Sequence, residues 1–318
     1  MRRVKSILFL LAISGCAGPQ SCSYGPTGRM SVSGTDAPVD DPFYSEVFFT
    51  IKDLQLNGES VEDFTGPITL NISELTNGIT TELADAEVPT GEADEMVVVL
   101  GLEQDDSGNA PGCYVNTSYG RKIDLGTARG RELEVRLRKN LQIKENEPLN
   151  VVIDFDLRKS IRSAVPGDDS ELSFVSDDDL SRAFRVVNEK ETGTITGQLT
   201  NMIMNQELVN AFNIYAYRRG TFDKAREQYD SDGDGIAFEQ AVTSTRIEAF
   251  GGETEPFSLH FLEAGEYDLV IEAYEFLEIS SYPVGMLQPQ GQSNLVIPIR
   301  VQAQQTSQLS VSGIAIVP

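Results

Sequence analysis

The segment Tyr229–Gln240, YDSDGDGIAFEQ, holds the residue types most ready for chemistry. Asp230, Asp232 and Asp234 alternate with small residues and Gly235 follows, the order in which a calcium-binding loop gathers three hard oxygens and then turns sharply. The closing ligand is displaced. A bidentate acid belongs at the twelfth loop position, which is Ala241, whereas Glu239 stands at the tenth. Two readings follow: a looser loop holding a structural calcium through the three aspartates, the Ile236 carbonyl and Glu239, or an acidic solvent loop.

A second pair of carboxylates, Asp154 and Asp156, lies two residues apart in PLNVVIDFDLRKSI, about 7 Å along a strand rising about 3.3 Å per residue. An inverting glycosidase pair needs a similar separation, but across a sugar in a cleft and with one raised pKa. Neighbours on one strand face, with Arg158 on that face and Arg136 near it, read instead as charge pairs. The one histidine, His260, shares a strand face with Ser258, while Phe257, Leu259 and Phe261 take the other. It reads as an exposed strand residue, because no serine sits in a nucleophile turn. One histidine and dispersed cysteines lack zinc-ligand spacing. The chain has no Trp for stacking on a flat polysaccharide; Tyr215 and Tyr217 share one strand face and Tyr267 is inward on another, positions that more often mean core than a sugar platform.

The elements that must position these residues are strands. In ELEVRLRKN, Leu133, Val135 and Leu137 point one way and Glu132, Glu134, Arg136 and Arg138 the other; in PLNVVIDFDLRKSI, Leu149, Val151, Ile153, Phe155 and Leu157 are inward and Asn150, Asp154, Asp156 and Arg158 outward. Both predict half-buried strands of an antiparallel sheet. The inward set Val47, Phe49, Ile51 changes parity to Leu54 and Leu56, which predicts a bulge near Lys52–Asp53. EMVVVLGL is apolar at nearly every position and predicts a central strand. SDDDLSRAF and TFDKAREQY predict helical turns only. The polar stretch NEKETG, near residue 190, separates this block from a second strand-rich one. The fold class is all-β: two consecutive antiparallel β-sandwich domains, residues 29–188 and 193–318.

Ahead of them, Arg2, Arg3 and Lys5 precede the apolar run Ile7–Ile13, the layout of a secretion signal. Seven helical residues cover about 10 Å against a hydrocarbon core about 30 Å thick, too short to remain as a span. Ile13-Ser14-Gly15-Cys16 resembles the lipobox of bacterial lipoproteins, which implies a signal peptide over residues 1–15, cleavage before Cys16, and acyl chains, palmitate among them, on that cysteine. The other reading is an ordinary signal peptide with an incidental cysteine. Ala17, which is not an aspartate, implies delivery to the outer membrane in that class. Residues 16–28, rich in Gly, Pro and Ser, form a tether. Cys22 and Cys113 remain, either bridged to staple the tether to the first domain or both unpaired.

SGTDAPVDD (Ser33–Asp41), LNISELTNG (Leu70–Gly78), IDFDLRKSI (Ile153–Ile161) and FRVVN (Phe184–Asn188) together resemble the bacterial domain-of-unknown-function family 4382 over most of residues 29–188. One departure is Gly91-Glu92-Ala93, where that family tends to have Gly-Thr-Tyr. FSLHFLEAGEYDLVIEAY is similar to the strand-turn-strand of transthyretin-like and carboxypeptidase-regulatory-like domains, with Gly265 and Tyr267 in the matching places, and implies a carbohydrate-binding-like sandwich.

With 49 acidic and 25 basic residues the net charge is −24, and it would be about −27 without the leader. Such a chain repels nucleic acid, whose affinity comes largely from Lys and Arg displacing counterions. The sequence therefore reads as a non-enzymatic outer-membrane lipoprotein, facing the periplasm or the cell surface. It would act as a binding, adhesion or structural module toward an envelope protein or glycan. The alternative is an accessory enzyme or glycan-binding protein acting on envelope polysaccharide. Partners are the membrane, through Cys16, and that envelope ligand; no cofactor is required, with structural calcium the one open case.

Overall fold

The computed structural model describes residues 25–36, 44–126, 129–165, 168–200, 209–228, 236–248, 254–277 and 280–317. Two sheets face each other across one apolar core in the first half of the chain. In the first, the strands run in the order Phe184–Asn188, Leu149–Phe155, Thr27–Thr35, Thr81–Pro89. The second runs Lys122–Asp124, Tyr114–Thr117, Tyr44–Leu56, Gly91–Gly101, Glu132–Ile143. A hairpin of Ile161–Val165 and Asp168–Phe174 stands beside them.

The alternation seen in sequence decides which residues meet between the sheets. Leu133, Val135 and Leu137 are buried while Glu132, Glu134, Arg136 and Arg138 are exposed. Gly91–Gly101 is interior to its sheet and Met96 to Leu100 are all buried, as a strand covered on both faces requires. The parity change in Tyr44–Leu56 is a β-bulge, with the register shifting between Ile51 and Asp53 so that Leu54 turns back to the core. At the centre lie Phe49, Phe155, Phe174 and Phe184. Phe155 packs edge-on against Phe184 with centroids 4.9 Å apart, and Phe49 edge-on against Phe174 at 5.2 Å. Gly34 is opposite, where a Cβ would come within 2.8 Å of the Phe155 ring.

One expectation about this half needs correction. Leu149–Phe155 is antiparallel to Phe184–Asn188 but parallel to Thr27–Thr35, so its sheet is mixed. The strand also stops at Phe155, and Leu157–Ser160 is a helical turn.

From Thr192 onward a second set of strands forms one eight-stranded sheet folded on itself. Its order is Thr243–Glu248, Ala211–Arg218, Gly265–Leu277, Ser280–Pro289, Thr306–Val317, Thr192–Thr200, Thr254–Glu263, with Ile297–Val301 also on Gly265–Leu277. Most pairs are antiparallel; Thr192–Thr200 and Thr306–Val317 are parallel. Ile195, Leu199, Phe212, Ile214, Leu259, Tyr267, Leu269 and Ile271 fill its core. Among the described residues, no strand before residue 190 pairs with a strand after it. The whole is an all-β protein of sandwich type with short helices, Asp177–Ala183 and Lys224–Glu227 among them. Ser176 caps the former by accepting from Asp179 N, and Asp223 the latter by accepting from Ala225 N.

Because Phe155 joins both sheets through its ring contacts, Phe155→Ala should lower stability by about 3–5 kcal/mol, whereas Glu134→Ala on the solvent face should change it by less than about 0.5 kcal/mol. Urea denaturation of the two variants measures both.

Candidate functional site

The polar side chains with the most unusual surroundings lie where the two domains meet. The turn after Leu149–Phe155 creates the first of them. The Asp156 carbonyl accepts from Lys159 N at 3.2 Å and from Ser160 Oγ at 2.6 Å, closing one helical turn that aims Arg158 and Lys159 away from the first domain. Arg158 Nη1 donates to the carbonyls of Ala237 (2.9 Å) and Phe238 (2.7 Å), and its Nη2 to Asp156 Oδ2 at 3.0 Å. Lys159 Nζ donates to the Ala241 carbonyl at 3.0 Å and pairs with Asp156 at 3.0 Å. One strand over, Arg185 bonds Asp154 Oδ2 at 2.5 Å and the Phe261 carbonyl at 2.7 Å. Further along the junction, Glu263 accepts from Lys139 and from Arg218, the latter at 2.6 Å.

These contacts reverse the expected exposure of the polar face. Asp154 is 3%, Asp156 2% and Arg158 9% exposed. The alternation was right that they oppose the core of their own sheet, but a second domain covers that outer face. Burial pushes the Asp154 carboxyl above the usual carboxylate range, against the pull of Arg185. For Glu263, burial is outweighed by Lys139 and Arg218, which hold it below that range.

The receiving carbonyls sit on strained backbone. Phe238 has φ 54° and Phe261 φ 53°, left-handed conformations that are rare for bulky residues. Each of these two phenylalanines turns its carbonyl to an arginine of the first domain. Phe238 is held by stacking on Tyr215, with centroids 4.0 Å apart and planes 5° from parallel, and by donating its N–H to the Glu227 carbonyl. Arg158 also lies 5.5 Å from the Tyr215 ring centroid. At Phe261 the strand bulges, so Leu262 takes the core position that alternation assigned to Phe261.

His260 is likewise corrected. It is half-buried against Gly78, where a Cβ would meet its Nδ1 at 2.5 Å, and burial lowers its pKa. Gly78 has φ +80°, and its loop is fastened by Thr35 Oγ1, which donates to the carbonyls of Leu75 (3.0 Å) and Ile79 (2.8 Å). Thr245 Oγ1 reaches Asn77 across the junction at 3.2 Å. Asp36 accepts from Leu157 N at 3.2 Å, behind Asp154. Between these groups only about 10 Å³ of space remains, roughly enough for one water.

Asp36, Lys159, Arg185, Asn77 and Gly78 were not singled out from sequence. All nonetheless fall within the four segments that carried the family resemblance. Described residues of all four segments, scattered over residues 33–188, meet at this one junction.

The remaining candidates are distributed elsewhere. Asp230, Asp232 and Asp234 lie outside the described residues, as do Cys16 and Cys22. Ile236 is buried in the apolar cluster of the first domain, and Glu239 lines a crevice at the domain junction. Among the described residues no group of three or more His, Cys, Asp or Glu is arranged to hold a metal. At the entrance to the aspartate segment, Glu227 accepts from Tyr217 Oη (2.9 Å) and Gln240 N (3.0 Å), and Glu272 accepts from Gln228 Nε2 at 3.1 Å and from Tyr274. Burial and the adjacent Glu227 push the Tyr217 hydroxyl well above its usual range. Cys113 is fully buried, its thiol donating to the Gly101 carbonyl at 3.4 Å, and burial pushes its pKa up to about 12. Tyr215, Tyr217 and Tyr267 are in the core, as their strand positions implied.

Residues 27–189 match the family described as "Domain of unknown function (DUF4382)", just over half of the chain. No curated protein matches. Among solved structures, the chain is similar to the major pilin subunit BcpA of Bacillus cereus, at 9% identity and TM-score 0.21, covering 91% of this chain and 70% of that one. The tip fimbrial protein Mfa3 of Porphyromonas gingivalis matches at 8% identity and TM-score 0.19, with 91% and 96% covered. A major pilin of Streptococcus pyogenes gives 9% and 0.17, with 91% and 97% covered.

Removing Arg185 tests the junction. Arg185→Leu leaves Asp154 buried without its counter-charge and should cost about 3–5 kcal/mol, with most of it recovered in Asp154→Leu/Arg185→Leu. The sign with pH follows from the raised Asp154 pKa. A carboxyl raised on folding contributes most below its unfolded value, and that contribution is lost as pH rises through its folded value. Arg185→Leu should steepen that loss and Asp154→Asn should remove it, read from urea midpoints across the carboxylate range. A cost under about 1 kcal/mol with an unchanged pH profile would mean that the junction is solvated.

Proposed function

We propose a function for a chain that belongs to the DUF4382 family: a non-enzymatic binding or structural module of the bacterial envelope, moored through lipid on Cys16 to the outer membrane. The observation that carries this reading is the use made of the charged residues at the junction. Arg158 and Arg185 bind carbonyls of the second domain while Asp154 and Asp156 hold those same cations in place. Domains joined by a loop ordinarily move relative to one another unless their interface prevents it. Here a relative motion would strip buried charges of their partners, which opposes such motion between the two sandwiches. Stiffness suits a module that presents a surface or transmits force.

The same geometry argues against the accessory-enzyme reading. A glycosidase pair must face a sugar from two sides, and Asp154 and Asp156 instead sit beside one another, covered, each with a cation. The anchor reading rests on the leader and on Cys16, and no helix among the described residues is long and apolar enough to cross a membrane. The strong negative charge supports an exterior partner that is not nucleic acid.

Calcium in the segment Asp230–Asp234 is part of this proposal. It is favoured by one feature of the segment's entrance: the Gln228 side-chain oxygen is buried without a donor, close in sequence to the three aspartates. A calcium ion there would tie the segment down, and its role would be structural.

Three outcomes are expected. Intact mass of the protein from a bacterial host should show cleavage before Cys16 and added acyl mass, and Cys16→Ala should move the protein to the soluble fraction. A freely secreted chain with no acyl mass would overturn the anchor. A soluble form beginning at Ala17 should cleave no envelope polysaccharide; cleavage lost with Asp154→Asn would establish the enzyme instead. For calcium at about 100 times its dissociation constant, stabilisation should reach about 2.7 kcal/mol. The unfolding temperature should then rise, and Asp232→Ala should abolish the rise; no rise in the parent protein would dismiss the ion.

A further inference from the structure

Acidic residues outnumber basic ones about two to one in this chain, yet in one crevice basic residues outnumber acidic ones. It opens beside the buried ion pairs, between the first domain and the segment Glu239–Val242, with a volume of about 420 Å³. Its cations are Arg138, Lys139, Lys159, Arg182, Arg185 and Arg218, against four carboxylates, Asp154, Asp156, Glu239 and Glu263. Three of those carboxylates already hold cations: Asp154 holds Arg185, Asp156 holds Lys159 and Arg158, and Glu263 holds Lys139 and Arg218. Two arginines are left at the rim. Among the described residues Arg138 is exposed and has no ion-pair partner, and Arg182 pairs only with Asp179, its side chain 65% exposed. An exposed pair of that kind contributes about 0–1 kcal/mol and yields readily to a better acceptor.

We propose that this crevice is a binding site for a small oxyanion, a carboxylate or phosphate borne by a sugar-sized ligand, with Arg138 and Arg182 as its primary donors and Arg218 behind them. Guanidinium forks match planar carboxylate and tetrahedral phosphate oxygens with paired donors. The volume lies within the range of about 300–1,000 Å³ common to small-ligand sites. The chain's net charge repels anions, so the crevice selects by fit as well as charge: a compact anionic group can enter, and a long polyanion lying over the acidic surface cannot follow it. Lys139, Lys159, Arg185 and Arg218 are held by their own partners, so the field in the crevice is set before a ligand arrives. The site stands whether or not Cys16 carries lipid.

Isothermal titration of the full chain at low ionic strength tests it, with trigalacturonate as probe, the neutral galactose trimer as its uncharged twin, and inorganic phosphate as competitor. Trigalacturonate should bind and the neutral trimer should not. Arg138→Gln/Arg182→Gln, which touches exposed side chains only, should weaken binding at least tenfold with an unchanged unfolding temperature. Arg136→Gln, on the same strand but outside the crevice, should stay within twofold. Displacement of trigalacturonate by phosphate would identify a site that reads oxyanions generally, and resistance to phosphate one that reads sugar carboxylates; either supports the assignment. Absence of binding by both trigalacturonate and phosphate, or binding that the double variant leaves intact, would overturn it.

Discussion

A guanidinium removed from water must find acceptors for donors that remain charged at any physiological pH. Arg158 and Arg185 impose that demand on this structure. Each stands on the outer face of the mixed sheet or the turn that follows it, and each takes one carboxylate from its own domain and carbonyl oxygen from the other. Carboxylates alone would neutralise the charges but leave the domains independent. The carbonyls carry these two arginines across to the second sandwich, beside the Lys139–Glu263 pair, the Thr245–Asn77 contact and Ile236 packed in the first domain's core. Two of these carbonyls belong to Phe238 and Phe261, which adopt left-handed backbone, a conformation costing of order 1–3 kcal/mol each and retained only where the surroundings enforce it. The stack on Tyr215 and the bulge opposite Thr192–Thr200 are that enforcement.

Placing these groups at the junction also answers a problem set by composition. Two sandwiches in a chain of net charge −24 repel one another at any distance shorter than the screening length, about 8 Å in physiological salt. Lys139, Lys159, Arg185 and Arg218 put positive charge where the bodies approach most closely. Glu263 gains most from this arrangement: two cations reach it, one from each domain, and its pKa falls despite burial. The junction is thus locally complementary within a molecule that is globally repulsive. The basic crevice is the part of that complementary zone left open to solvent.

Periodicity carried the fold further than the site. The alternating runs located the inward residues of Glu132–Ile143, the covered strand Gly91–Gly101 and the bulge at Lys52, because a pleated strand has only two faces and water sorts them. The same rule could not say what lies on the polar face. Asn150, Asp154 and Asp156 share one face of their segment, yet Asn150 is partly exposed and the aspartates are buried, since the second domain covers only the carboxyl end of the strand. His260 was misread for the same reason. Parallel pairing was also hidden, because alternation fixes which way side chains point and leaves strand direction open. Phe261 failed locally: a left-handed residue shifts the phase by one, and no glycine or asparagine marked the place.

The four segments that carried the family resemblance did hold the missing information in another form. Between Asp36 and Arg185 the chain crosses both sheets of the first domain before its polar groups converge, so no local pattern could have joined them. Their meeting point is not the interior of the domain to which they belong but the face it turns to its neighbour. A sandwich of this type, taken alone, would present Asp154, Asp156, Arg158 and Lys159 as a patch of opposed charges, each well hydrated and none strongly committed. Covering that patch withdraws the water, and the low dielectric converts weak surface pairs into contacts that cannot be broken singly without a large cost. The second domain therefore does more than follow the first in sequence. It turns a mixed-charge surface into a lock, and the geometry of the lock requires a neighbour whose backbone offers bare carbonyls in the right places.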